Sequence, residues 1–146
     1  MRLLYVHRQH PQTEEGITVK HIFIINPAAG SRDRTKDYQK AIEEHCQGLD
    51  YSIRVSKCPG DCFRIAREAA ETGEEVRLYA CGGDGTLNEV AAGAAGCQNA
   101  AVTVFSGGSG NDFVKLFSDP NAFRDLSRLP RPHGRTATVC TFIPTT

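Results

Sequence analysis

Val76-Arg-Leu-Tyr-Ala-Cys81, followed by Gly82-Gly83-Asp84-Gly85-Thr86-Leu87-Asn88-Glu89-Val90-Ala91, is the stretch on which the fold turns. The first six residues read as a short buried strand. Cys81 is explained there as a small buried residue. Beyond the glycines, Leu87, Val90, Ala91 and Ala94 recur at i, i+3, i+4 and i+7, the spacing of one helix face. A strand that passes through glycines into an amphipathic helix is half of a βαβ unit.

The same punctuation repeats on both sides. Upstream, His21-Ile-Phe-Ile-Ile-Asn26 is a β-branched and aromatic run closed by Pro27, which suits a strand buried on both faces. Asp33 to Gln47 reads as a helix ended by Gly48, and Tyr51 to Ser56 as a second strand. Pro59-Gly60-Asp61 offers a helix start, with Cys62, Ile65, Ala66, Ala69 and Ala70 on one face and Gly73 as the stop. Downstream, Ala101 to Phe105 is a further strand, and Asn111 to Phe117 and Ala122 to Leu129 read as short helices. Alternation of this kind predicts an α/β fold, a parallel sheet with helices on both faces. Residues 1–20 read as an irregular extension, 21–129 as the domain, and 130–146 as an irregular tail.

Composition narrows the function. The chain has 146 residues, 17 Lys+Arg against 17 Asp+Glu, and 40% hydrophobic residues, about one ordinary domain. Zero formal charge argues against a generally basic nucleic-acid binder, and no nucleic-acid partner is expected. No apolar run approaches the roughly 20 residues of a membrane-spanning helix, and Leu3 to Val6 is too short for the core of a secretory signal. Six cysteines without a C-x-x-C pair suit reduced thiols, so a cytoplasmic protein is expected. Cys58-x3-Cys62, the one close pair, is weak as a metal or redox motif.

Ligands of such sheets bind beyond the carboxyl ends of the strands. Three strands there lead into polar, glycine-rich loops: Asn26-Pro-Ala-Ala-Gly30-Ser31, Gly82 to Glu89, and Ser106-Gly-Gly-Ser109-Gly-Asn111-Asp112. Eight of the fourteen glycines lie between Gly82 and Gly110, where positive φ, close backbone approach and helix N-termini would suit phosphate. A single such loop could be an ordinary tight turn, but three converging on one sheet edge favour a site. Neither G-x-x-x-x-G-K-[ST] nor G-x-G-x-x-G occurs, which excludes the P-loop and the dinucleotide fingerprint. Asp84 and Asp112 would repel phosphate unless a divalent cation lies between or one of them acts on a proton, and phosphoryl transfer meets both demands.

Gly82-Gly-Asp-Gly-Thr86 with Glu89, preceded by Asn26-Pro-x-x-Gly30 and followed by Gly108-Ser-Gly-Asn-Asp112-Phe113, resembles the nucleotide-binding N-terminal domain of the diacylglycerol kinase family, which includes sphingosine, ceramide and bacterial lipid kinases. The first of these motifs also occurs in NAD kinases, and the flanking two favour the lipid-kinase branch. The resemblance implies ATP and Mg²⁺ as cofactors, and transfer of the γ-phosphate to a lipid hydroxyl at a membrane surface. It implies that Asn26, Pro27 and Gly30 hold the nucleotide, that Ser56 stands where members often place a Thr, and that Gly82, Gly83 and Gly85 wrap the phosphates. Thr86 would donate its hydroxyl to them, and Asp84 would be catalytic, through Mg²⁺ or on the acceptor hydroxyl. Asn88 and Glu89 would open the next helix, Ser109 would stand in for a Thr, and Asn111 and Asp112 would brace the site.

Family enzymes are about twice this long and carry a second, β-rich domain that contributes a carboxylate base and further metal ligands. Nothing after Leu129 supplies it. The expectation is a truncated, frame-altered or cut piece of a lipid kinase that needs the missing C-terminal domain. It would be peripheral to the membrane during turnover, with a homodimer carried as a further expectation. The alternatives are a non-catalytic nucleotide-binding fragment, an NAD kinase, or a degraded gene product.

Overall fold

The computed structural model of the protein describes residues 19–105 in full, and the strands Leu3–Val6 and Thr141–Pro144 by their backbone. In chain order the elements are β1 (Leu3–Val6), β2 (Lys20–Ile25), α1 (Thr35–His45), β3 (Tyr51–Val55), α2 (Asp61–Ala70), β4 (Val76–Cys81), α3 (Asp84–Ala94), β5 (Ala100–Phe105) and β6 (Thr141–Pro144). They form a six-stranded sheet in the order β1-β6-β5-β4-β2-β3. The four strands expected from the alternation pair in parallel, with Ile25 level with Val55 on one side and Cys81 on the other, and Cys81 level with Phe105.

Helices cover both faces, as the alternation requires. Against one face, Cys62, Ile65, Ala66 and Ala69 of α2 and Leu87, Val90 and Ala94 of α3 close over Ile22, Ile24, Leu78, Ala80, Val102 and Val104. Against the other, Tyr38 and Ile42 of α1, with Cys46, cover Phe23, Ile25, Tyr79, Cys81 and Phe105. The strands that carry both sets are buried almost throughout, which is why their sequences run apolar rather than alternating. The alanines of α2 and Gly93 of α3 bring these two helices close. A Cβ on Gly93 would strike the Phe63 carbonyl oxygen and lie 2.8 Å from the Ala66 Cβ.

Local chemistry sets the helix ends. The Asp33 carboxylate accepts the Thr35 N–H at 2.8 Å, so α1 opens at Thr35 rather than Asp33. It closes where Gly48 takes φ +84. Gly60 (φ +84) turns the chain into α2, and Gly73 (φ +80) follows its end.

Two expectations are corrected. The regions 1–20 and 130–146 are not wholly irregular, because each holds a strand, and β1 and β6 pair antiparallel with Leu3 level with Pro144. Through Val102 and Phe142, β6 also adds to β5 antiparallel. The glycines after β4 do not form an extended loop either. Gly83 is extended (φ −99, ψ −163) and α3 begins at once with Asp84. The short helices expected at 111–117 and 122–129 lie outside the described residues.

Candidate functional site

The parallel strands run in the order β3-β2-β4-β5, so the chain leaves β2 toward one edge of the sheet and leaves β4 toward the other. Between the C-terminal ends of β2 and β4 the two connections diverge. That crevice is where open α/β sheets bind ligands.

Asn26 sits at the mouth of the crevice and ties its two sides together. Its backbone N–H donates to the Cys81 carbonyl at the end of β4 (3.1 Å), and its carbonyl accepts the Ala29 N–H (3.2 Å). The side-chain oxygen accepts the Ala28 N–H at 3.1 Å, an Asx turn that shapes the loop before Gly30. The side-chain amide donates to Thr86 Oγ1 at 3.2 Å, across 60 residues. Thr86 is buried in the first turn of α3. A Cβ on Gly82 would collide with its hydroxyl and approach the Ala29 Cβ to 3.2 Å. Gly82 is therefore needed for close approach, not for a positive φ, and Gly83 and Gly85 also avoid positive φ. Among the described residues the left-handed glycines are Gly30, Gly48, Gly60, Gly73 and Gly96, of which only Gly30 belongs to an expected phosphate loop.

Asp84 is the first residue of α3, half-buried, and no side chain caps this helix start. The first N–H groups of a helix have no intrahelical acceptor, and together with the helix dipole they favour an anion beside them. Gly85 and Asn88 are exposed on the same helix, and Pro27 is half-buried in the Asn26 turn.

The third loop at this edge follows β3. Ser56 is buried, and its N–H bonds to the Ile25 carbonyl at 2.9 Å. The Asp61 carboxylate accepts the Lys57 N–H (2.9 Å) and pairs with Arg64 (2.8 Å from Nε). The Lys57 N–H, ahead of the Arg64 guanidinium, holds the Asp61 carboxyl below the usual range. Glu89 lies in the second turn of α3 rather than at its start, and its carboxylate accepts the Gly60 N–H at 2.8 Å. Cys58 is exposed and Cys62 buried, so the two thiols of that pair sit in different surroundings. Burial raises the Cys62 pKa.

Asn26, Gly82 and Thr86 thus meet directly, with Asp84 two residues before Thr86. Ser56 adjoins them through β2, and Glu89 reaches the loop beyond it. Ser109, Asn111 and Asp112 lie outside the described residues. Among the described residues no three His, Cys, Asp or Glu side chains are grouped to hold a metal ion. A single carboxylate at a helix start suits Mg²⁺ when nucleotide phosphates and water complete the shell.

At the opposite, N-terminal end of the strands lies a second polar cluster that the motif reading passed over. His21 and Tyr79 are buried side by side, with Nδ1 2.8 Å from the phenol oxygen. Burial, reinforced by the nearby Arg77 charge, lowers the His21 pKa to about 4. Burial pushes the Tyr79 pKa up, against the opposing influence of the nearby Arg77 charge. Arg77 is 3% exposed, and its Nε and Nη1 have no partner. The only sign in the sequence was a cation two residues before Tyr79 in an otherwise apolar strand.

Fold and crevice define an open, parallel α/β domain with a topological switch point between β2 and β4. The chain belongs to the diacylglycerol kinase catalytic domain family, which it matches over residues 20–141. It is 33% identical over 99 residues to the diacylglycerol kinase of Bacillus subtilis, covering 66% of this chain and 32% of that protein. It is 38% identical over 101 residues to the protein named "Probable lipid kinase YegS-like" of Cronobacter sakazakii, covering 67% of this chain and 33% of that one. A crystal structure of a diacylglycerol kinase from Bacillus anthracis superposes with a TM-score of 0.59 at 25% identity, over 78% of this chain and 44% of that one. The chain thus spans about a third of the curated relatives it matches. The family match also decides between the two branches that share Gly82 to Thr86, against an NAD kinase. No helix among the described residues is long and apolar enough to cross a membrane.

Proposed function

We propose that this chain is the nucleotide-binding part of a lipid kinase and that it binds ATP with Mg²⁺ at the crevice between β2 and β4. The observation that carries this is the Asn26–Thr86 hydrogen bond, which locks two strand-end loops beside an uncapped helix start bearing Asp84. The phosphates would lie over the first turn of α3, beside Gly82, Gly83 and Gly85, with Asn26, Pro27 and Gly30 on one side and Ser56 beyond. Asp84 would hold Mg²⁺ together with the phosphates, and Ser109, Asn111 and Asp112 would complete the site. In the whole protein, the γ-phosphorus would leave the bridging oxygen of ADP and bond to a lipid hydroxyl oxygen, whose proton passes to a carboxylate. The lipid would be met at a membrane surface from the cytoplasm.

Calorimetry of ATP with Mg²⁺ on the 146-residue chain, beside labelled phosphate transfer to diacylglycerol, tests this reading. Binding is expected, and Asp84→Asn should weaken it in Mg²⁺ far more than in EDTA. Absence of ATP binding would sink the proposal. Because the chain spans a third of its relatives, a second reading is a fragment that binds nucleotide without transferring phosphate, and binding without transfer supports it.

A further inference from the structure

Glu89 projects from α3 toward the start of α2, where its carboxylate accepts the Gly60 N–H across 29 residues. Gly60 is the residue that turns the chain into α2, and this helix has no side-chain cap of its own. Glycine supplies the left-handed turn but brings no oxygen to the helix start. The acceptor comes instead from the neighbouring helix, and a carboxylate there also meets the positive end of the α2 dipole. The reach is set by the close approach of α2 and α3 at Gly93. The Cys62 thiol, on the second residue of α2, has the Glu89 and Ser56 side chains as its polar neighbours. Ser56 is in turn fixed by its N–H on the Ile25 carbonyl, one residue before Asn26. Glu89 thereby ties the α2 end of the β3–α2 loop to the helix whose first residue is Asp84, while the other end of the loop is held at Ser56 on β2.

We propose that Glu89 is a positioning residue: by accepting the Gly60 N–H it holds the β3–α2 loop at the spacing from the first turn of α3 into which ATP fits. This role rests on the nucleotide reading above. It requires an acceptor oxygen at the right reach and does not require a negative charge. Glutamine keeps the oxygen and the reach, aspartate keeps the charge and loses the reach, and alanine loses both.

The full chain, as wild type, Glu89→Gln, Glu89→Asp and Glu89→Ala, tests this with two measurements: ATP·Mg²⁺ affinity by calorimetry, and hydrogen exchange of the Gly60 amide without nucleotide. Loss of one hydrogen bond to a charged group predicts about tenfold weaker ATP binding and about tenfold faster Gly60 exchange in Ala and Asp, with Gln within about threefold of wild type in both. Far-UV circular dichroism identifies any variant that does not fold, and the Gln and Asp pair then decides alone. Gln as weak as Ala while Gly60 stays protected overturns the proposal, because Glu89 would then act by its charge on the ligand. Unchanged Gly60 exchange in Ala overturns it as well. Absence of ATP binding by the wild type overturns the nucleotide reading and this role together. Failure of Glu89 alone leaves wild-type binding intact.

Discussion

Acidification should destabilise this domain through His21, beginning near pH 6.5. Folded His21 titrates near 4 because burial and the Arg77 charge disfavour the imidazolium. In the unfolded chain the ordinary value near 6.5 applies. Above pH 6.5 both states are neutral and the full stability is present. As pH falls from 6.5 to 4 the unfolded chain takes up a proton that the folded chain refuses, so stability drops by roughly 1.4 kcal/mol per pH unit. The whole interval is worth about 3 kcal/mol, and below pH 4 both states are protonated and this contribution falls no further. Asp61 and Asp33, whose pKa values are lowered, lose their contributions in a separate and more acidic window. Urea denaturation at pH 7.5, 5.5 and 4.5, on wild type and His21→Asn, isolates the effect. Asparagine can donate or accept toward the Tyr79 hydroxyl in place of Nδ1, yet cannot titrate. The expected result is a stability difference between the two proteins that narrows by about 3 kcal/mol between pH 7.5 and 4.5. Parallel losses in the two proteins, or an NMR titration placing folded His21 between 6 and 7, would refute the reasoning.

Three other outcomes follow from packing and hydrogen bonding. Gly93→Ala would help an exposed helix by about 1 kcal/mol. Here the added Cβ meets the Phe63 carbonyl and Ala66, so a net loss of about 1–3 kcal/mol in chemical denaturation is expected. Thr86→Val keeps the shape but removes the acceptor for the Asn26 amide. It should lower stability by about 1 kcal/mol and weaken ATP binding in calorimetry. Arg77→Met removes a buried cation with two unpartnered nitrogens, so the urea midpoint should hold or rise, and the His21 pKa read by NMR should move up toward 6.5.

The parallel strands were legible because each is a short β-branched or aromatic run bounded by Gly, Pro or a polar turn. Val76–Cys81 coincides with its expected bounds. The helix after it was misplaced at its start, since Gly82 and Gly83 suggest a long flexible loop whereas extended Gly83 lets Asp84 enter the helix directly. The motif singled out Asn26 and Thr86 separately, but not that they bond to each other, because a contact 60 residues apart leaves no local pattern. Glu89 was read as a first-turn residue for the same reason: its partner, Gly60, belongs to another helix. The strands β1 and β6 escaped because four residues are too few for a period and they pair from near opposite ends of the chain. Arg77 and His21 were absorbed into strands whose neighbours are apolar.

The Asn26–Thr86 bond also bears on how the protein is made. Its partners are separated by α1, β3, α2 and β4, and β4 can dock on β2 only after the stretch before it has closed. Long-range parallel pairing of this kind is intrinsically slow, and the crevice cannot exist before it is made. Ligand binding then recognises the completed sheet and not any local segment. If the chain binds ATP as proposed, ATP at about 100 times its dissociation constant would stabilise the folded chain by roughly 2.7 kcal/mol, a gain available only to molecules in which β4 has docked on β2.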